Sequence, residues 1–298
     1  MVVMADTRVR GLLEAFLVTF LWSSSYVLTK LGLQDTPPLL LIALRYVLAS
    51  LVLLPIALAR GAHRELDRDD FMNLALLGVT GYAVAQGLQC FGLFYLPAVT
   101  VTFILNFTPI MVLTLNALIE GHRPTTPQIG GALMVLVGAY TFFGGRIEAS
   151  DLFGVFITLL SGLGWAVYLV MGRRIFSNRS ITPLAFSAFA MASGTIFIAG
   201  SAALFEGLSP ISGRSSAIIL WLGIVNTAAA FFIWNHALTM IGAYEISILQ
   251  NTMLIQIAVL SWLFLGEALT IVKMLGMSIV FMGVLIVQLS SFRGEGRN

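Results

Sequence analysis

The sequence predicts an all-α membrane protein: ten transmembrane helices in two inverted five-helix repeats around a central cavity. Three observations predict it. Of 298 residues, 58% are hydrophobic and 10% are charged, against roughly 45–50% and roughly 25% in soluble domains. A soluble globule cannot hide that much apolar surface behind so few charges. The apolar residues also run on for about twenty at a time, the length a helix needs to cross a bilayer. Barrel strands would instead be about ten residues long, with period-two alternation. Finally, the chain repeats itself at an offset of 145 residues.

The elements follow in order. Arg8 and Arg10 precede an apolar segment too long for a signal-peptide core and lacking an Ala-x-Ala site, so this is the first membrane helix, about 11–33. A second span covers about 38–60. From Phe71 to Ile119 there are 49 residues without Asp, Glu, Lys or Arg. One helix of that length would be roughly 74 Å long, over twice the bilayer's hydrocarbon thickness of about 30 Å. It must turn, and Leu96-Pro97 is the natural break because proline ends a helix. The third and fourth spans are therefore about 71–95 and 98–119, and the fifth about 126–145. The second half adds spans at about 152–174, 181–205, 216–240, 244–265 and 271–291. The links are short, leaving no soluble domain. The two repeats are expected at 11–145 and 152–291.

The repeat is visible residue by residue. Gly78 falls on Gly223, Leu93 on Leu238, Ala98 on Ala243, Asn106 on Asn251, Gly131 on Gly276 and Gly138 on Gly283. A two-residue gap earlier brings Trp22 onto Trp165 and Lys30 onto Arg173. Five spans per half is an odd number, so the second half enters the membrane from the opposite side. Inverted repeats characterise secondary transporters, whose substrate site lies near the midplane between the halves.

Charge sets the orientation. With the N-terminus inside, eleven basic residues lie in inner loops and tails: Arg8, Arg10, Arg60, Arg64, Arg68, Arg123, Arg173, Arg174, Arg179, Arg293 and Arg297. Four lie outside: Lys30, Arg146, Arg214 and Lys273. Both termini are expected in the cytoplasm, with the chain in a bacterial inner membrane. A net charge of +2 offers no field for nucleic acid. The single Cys90 and the scattered His63, His122 and His236 argue against a metal centre. No cofactor is expected. Without a nucleophile–base pair or a buried acidic pair, neither is a catalytic site.

Several motifs resemble a known family. Phe20-Leu21-Trp22-Ser23-Ser24-Ser25-Tyr26, Leu44-Arg45-Tyr46-Val47-Leu48-Ala49 with Pro55, and Leu265-Gly266-Glu267-Ala268-Leu269 leading to Gly276 and Gly283 resemble EamA-type members of the drug/metabolite transporter superfamily. The resemblance covers about 15–290 in two copies, and is nearest in general likeness to aromatic and neutral amino-acid exporters. It implies a ten-helix inverted-repeat fold with a central cavity and export of small metabolites. Two departures stand out. Pro109 in the fourth span has Leu254 as its repeat partner, and Glu120-Gly121 is two residues out of register with Glu267.

Helical spacing gathers polar faces that should point away from lipid. Tyr82, Gln86 and Gln89 fall at i, i+4 and i+7. Thr102, Asn106, Pro109 and Asn116 share a face, as do Ser161, Trp165 and Tyr168. Thr19, Ser23, Tyr26 and Lys30 do so in the first span; Tyr244, Ser247 and Asn251, near Gln250 and Gln256, in the ninth. The candidate substrate-binding residues are Trp22, Tyr26, Tyr82, Gln86, Gln89, Asn106, Trp165, Tyr168, Tyr244 and Asn251. Asn106 and Asn251 can equally be glue between helices. Arg45 is an intramembrane charge, hence a functional candidate, yet it belongs to the Leu-Arg motif and a fold-wide structural role stands beside that reading. No Asp or Glu lies clearly at mid-span, which leaves His236, near the end of the eighth span, as the sole proton-relay candidate, although a lone histidine is more often satisfied structurally.

Rings with polar tips beside Ser, Thr, Asn and Gln suit a neutral or zwitterionic cargo such as an amino acid, aromatic ones included. One cation, Lys30 or Arg45, could hold a carboxylate, but two are meagre for a sugar phosphate. The expected function is export of such metabolites by alternating access. The alternatives are a passive pore or facilitator, or a drug or nucleoside exporter of the same fold. The partners are a small-molecule substrate and the bilayer; whether the chain is a monomer or homodimer is left open.

Overall fold

The computed structural model describes residues 2–121, 124–144, 148–178, 181–207, 209–237, 240–241 and 243–295, with side chains except at 2–8, 65, 120, 173, 176–178, 235, 243–248 and 291–295. Its framework is ten helical rods: α1 (Val2–Gly32), α2 (Pro38–Ala59), α3 (Arg68–Tyr95), α4 (98–120), α5 (Thr126–Phe142), α6 (Leu152–Asn178), α7 (Pro183–Phe205), α8 (213–237), α9 (Ala243–Leu265) and α10 (Ile271–Glu295). Eight contain stretches long and apolar enough to span a bilayer by length and composition. No strand occurs among the described residues.

Local chemistry sets the ends. Asp67 and Asp70 form a reciprocal capping box that starts α3, and Thr125 with Gln128 does the same for α5. Each box satisfies backbone N–H groups that the first helical turn leaves without partners. The turn at Leu96-Pro97 falls where proline requires it, between Tyr95 and Ala98. Gly121 and Gly266, repeat equivalents, both follow the fourth helix of a half with φ of 69° and 67°. That left-handed conformation is open to glycine at no steric cost.

The principal helix contacts are preserved under exchange of the halves. α5 lies along α10, and α2 along α7. The contacts of α1 with α9, α2 with α8 and α1 with α8 are matched by those of α6 with α4, α7 with α3 and α6 with α3. Ser50 Oγ and Thr195 Oγ1, themselves 145 residues apart, share a hydrogen bond of 3.0 Å between α2 and α7. A residue bonded to its own repeat equivalent lies on the pseudo-two-fold axis.

Glycine lets α5 and α10 meet backbone to backbone. A Cβ on Gly131 would lie 2.7 Å from the Gly283 carbonyl oxygen, and one on Gly138 would lie 2.9 Å from that of Gly276. The residue numbers run in opposite senses along the two helices, so they cross antiparallel, as inversion demands. Small residues that admit such approach are what drives helix association where no hydrophobic effect operates between helices.

Two irregularities interrupt the α-helical register. Val79–Gln86 in α3 and Ile224–Ala229 in α8 are π-helical, and they begin 145 residues apart. A π turn holds an extra residue, so it rotates whatever follows, and it is found frequently at functional sites. The other break lacks a mate. α4 is interrupted at 106–107, with Pro109 opening its second segment, whereas α9 runs unbroken past Leu254. The unmatched proline therefore gives an unmatched break.

Candidate functional site

A connected set of rings occupies the meeting place of the two halves. Trp22 on α1 packs against Trp234 and Phe231 on α8, with centroids 4.9 and 5.5 Å away. Phe231 lies 6.3 Å from Tyr82, which meets Tyr46 and Tyr168 edge-on at 5.5 and 5.6 Å. Tyr168 is stacked on Trp165 at 4.7 Å. The Tyr82 and Tyr168 hydroxyls are 3.4 Å apart. Five helices contribute: α1, α2, α3, α6 and α8. Tyr82 is fully buried, and Tyr26 belongs to the same buried core. The glycine at 81 makes room for this arrangement, because a Cβ there would fall 2.3 Å from the Tyr168 ring.

The structure thus brings together Trp22, Tyr26, Tyr82, Trp165 and Tyr168 from the sequence candidates. Gln86 and Gln89 are half-buried on α3, and neither side chain has a hydrogen-bond partner among the described residues. The π turn beneath them means that Tyr82 and Gln89 do not keep the α-helical face that i, i+7 spacing implied. Asn106 is half-buried at the α4 break and donates to the Thr102 carbonyl of its own helix at 2.9 Å. Asn251 is buried and donates to Gln288 Oε1 on α10 at 2.5 Å. The Tyr244 side chain lies outside the described residues.

Beside the rings is a polar set that spacing alone did not reveal. Arg45, only 6% exposed, donates from Nε to Thr227 Oγ1 at 2.9 Å, and its guanidinium lies 5.6 Å from the Tyr46 ring. The neighbouring Asn226, fully buried, donates from Nδ2 to the Leu21 carbonyl and to Ser24 Oγ. Both Asn226 and Thr227 sit in the second π-helical stretch. The available signal was an Asn-Thr pair inside an otherwise apolar span. A second network joins α1 to α9: Ser23 donates to Gln256 Oε1 at 2.9 Å, and Gln256 donates to Thr252 and Thr19 hydroxyls.

The ends of the bundle are tied across the halves. Glu267, just past α9, accepts from the Ala98 and Val99 amides at 2.6 and 3.0 Å, capping α4. Glu206 accepts from the Leu40 amide at 2.9 Å, capping α2. Lys30 Nζ donates to the Leu93 and Leu96 carbonyls at 2.6 and 2.7 Å. Lys30 and Glu267 flank a hollow of about 290 Å³ with Gln34, Tyr95, Pro97 and Leu265. At the other end His236 Nδ1 lies 2.6 Å from Glu14 Oε2, and Arg10 bonds the other oxygen of Glu14 at 2.9 Å.

A ten-helix bundle of inverted halves, with a polar and aromatic centre where they meet, is the architecture of a secondary transporter. The chain belongs to the EamA-like transporter family, which it matches over residues 9–144 and 152–289. It is similar to the S-adenosylmethionine/S-adenosylhomocysteine transporter of Chlamydia trachomatis serovar L2, at 25% identity over 93% of this chain and 89% of that protein. It also resembles a probable terminal-alkyne amino-acid exporter of Streptantibioticus cattleyicolor, at 24% identity over 89% of each. A solved crystal structure superposes with a TM-score of 0.68 at 20% identity, covering 95% of this chain and 99% of the other. The protein is an integral membrane transporter.

Proposed function

We propose that this transporter exports small neutral or zwitterionic metabolites, amino acids above all and aromatic ones included, by alternating access. The observation that carries the reading is the connected ring set at the junction of the halves, in which buried Tyr82 and Tyr168 are flanked by half-buried Trp22 and Trp165. Its rings can contact an apolar or aromatic side chain, while hydroxyl and amide groups nearby address a polar head. Tyr26, Gln86, Gln89, Asn106, Tyr244 and Asn251 complete the proposed substrate-binding set. The substrates for which the two relatives are named, S-adenosylmethionine or S-adenosylhomocysteine and a terminal-alkyne amino acid, each contain an amino acid.

In this reading residues 11–145 and 152–291 are the two moving halves. The chain sits in a bacterial inner membrane with both termini in the cytoplasm, in keeping with its basic inner loops. The test is competition for uptake of labelled phenylalanine in proteoliposomes, with amino acids, nucleosides, sugars and hexose phosphates as competitors. Neutral and aromatic amino acids should inhibit, and Trp165→Ala or Tyr82→Ala should weaken that inhibition. Strong competition by hexose phosphates, with none by amino acids, would overturn the assignment.

A further inference from the structure

Arg45 and Asn226 share an unusual condition: each is buried in the membrane bundle with bonding capacity left over. Arg45 uses Nε on Thr227, but its Nη donors meet no acceptor among the described residues. No carboxylate there forms an ion pair with it. A guanidinium held only for the fold would be expected to find a carboxylate or carbonyls, because an uncompensated buried charge is strongly unfavourable. Asn226 spends its amide N–H groups on α1, while its buried Oδ1 has no partner. Rotating the amide would not help, since it would set Oδ1 against the Leu21 carbonyl oxygen.

The two are linked through one backbone step. Arg45 is bonded to Thr227, and Asn226 precedes it in the π-helical stretch of α8. The repeat equivalents offer nothing of the kind: position 81 is glycine and position 190 is alanine. A donor fork and an orphan acceptor, one residue apart in their anchoring, are complementary to the two charged ends of a zwitterion. Lys30 is already committed to two carbonyls at the end of the bundle.

We infer that Arg45 and Asn226 form the head-group subsite of this carrier. Arg45 takes the substrate's carboxylate through its free Nη donors, and Asn226 Oδ1 accepts from its ammonium. The planar guanidinium suits a carboxylate in two-point contact. The adjoining rings at Tyr46, Tyr82 and Phe231 receive the side chain. The inference rests on the amino-acid reading and narrows it to substrates that keep both a free carboxylate and a free ammonium.

The experiment measures inhibition of labelled phenylalanine uptake in proteoliposomes by phenylalanine, phenylalanine amide and N-acetylphenylalanine. Hydrogen bonds to charged groups are strong enough that losing either head group should weaken inhibition about tenfold or more. In Arg45→Gln the preference for phenylalanine over its amide should collapse toward one, while the preference over N-acetylphenylalanine persists. Should Arg45→Gln not fold, the wild-type series decides alone. An amide that inhibits as well as phenylalanine would overturn the subsite while leaving amino-acid transport intact. A folded Arg45→Gln protein that still discriminates against the amide would do the same. Failure of every amino acid to be transported is a separate outcome, and it removes the amino-acid reading and the subsite together.

Discussion

Alanine at Gly138 should destabilise the protein although alanine is the better helix former. A Cβ there would sit 2.7 Å from Val280 Cγ2, and 2.9 Å from both the Gly276 oxygen and the Val280 nitrogen. The methyl can swing aside, but the two backbone atoms move only if α5 and α10 part. Overpacking of this kind costs about 1–3 kcal/mol. Helix propensity returns about 0.5–1 kcal/mol for Gly→Ala, which leaves a net loss of about 1 kcal/mol at mid-range and about 2.5 kcal/mol at most. Gly130 on the same helix is the control, since a Cβ there meets nothing within 4 Å. Gly130→Ala should therefore gain about 0.5–1 kcal/mol. Gly276→Ala strikes the same contact from the other side, its Cβ falling 2.8 Å from the Gly138 oxygen. Once the helices have parted for one methyl the second costs less, so the double substitution should fall short of additivity by about 0.5 kcal/mol or more. Reversible unfolding in mixed micelles measures all four proteins. The reasoning fails if Gly138→Ala is as stable as Gly130→Ala, or if the Gly138/Gly276 pair is strictly additive.

Further expectations can be checked singly. Glu267→Ala removes the acceptor for two amides at the start of α4 and should cost about 0.5–2 kcal/mol in the same unfolding assay. Asn251→Ala breaks the link to Gln288 and should lower stability by about 0.6–2 kcal/mol. Asn106→Ala, which loses only a bond within its own helix, should unfold more nearly like wild type. His236 sits at the end of the bundle, with its side chain 47% exposed beside Glu14. Downhill amino-acid flux should accordingly persist without a pH gradient. Uphill accumulation driven by a pH jump and abolished by His236→Ala would refute that. Reporter fusions near Arg64 and Arg174 should read inside, and near Arg146 and Arg214 outside; an external C-terminus would contradict the assigned orientation.

The large features were written where the chain repeats. Gly78 on Gly223 and Gly138 on Gly283 already carried the offset of 145, and the Ser50–Thr195 bond spans that same interval. Pro97 marked the third turn, and the unmatched Pro109 marked a helix break that has no mate among the described residues. What stayed hidden lies where the halves differ or where α-helical spacing stops holding. Val79–Gln86 has no residue that announces a π turn, so the face drawn through Tyr82, Gln86 and Gln89 was projected on the wrong helix geometry. Asn226 has glycine as its repeat partner, so comparing the halves passes over it. Asn106 and Asn251 do stand in register, yet one bonds its own helix while the other bonds Gln288, whose equivalent is Phe143. The Arg45–Thr227 bond joins residues 182 apart; packing between helices sets such pairs, and no local pattern encodes them.

The central claim is that the two halves rock around a shared site to carry amino acids. Counterflow tests it most directly: proteoliposomes are preloaded with unlabelled phenylalanine, and labelled phenylalanine is supplied outside. A carrier predicts saturable uptake that is accelerated by the internal load and transiently overshoots. Uptake that rises linearly with concentration and ignores the internal load would mean a pore, and would contradict alternating access.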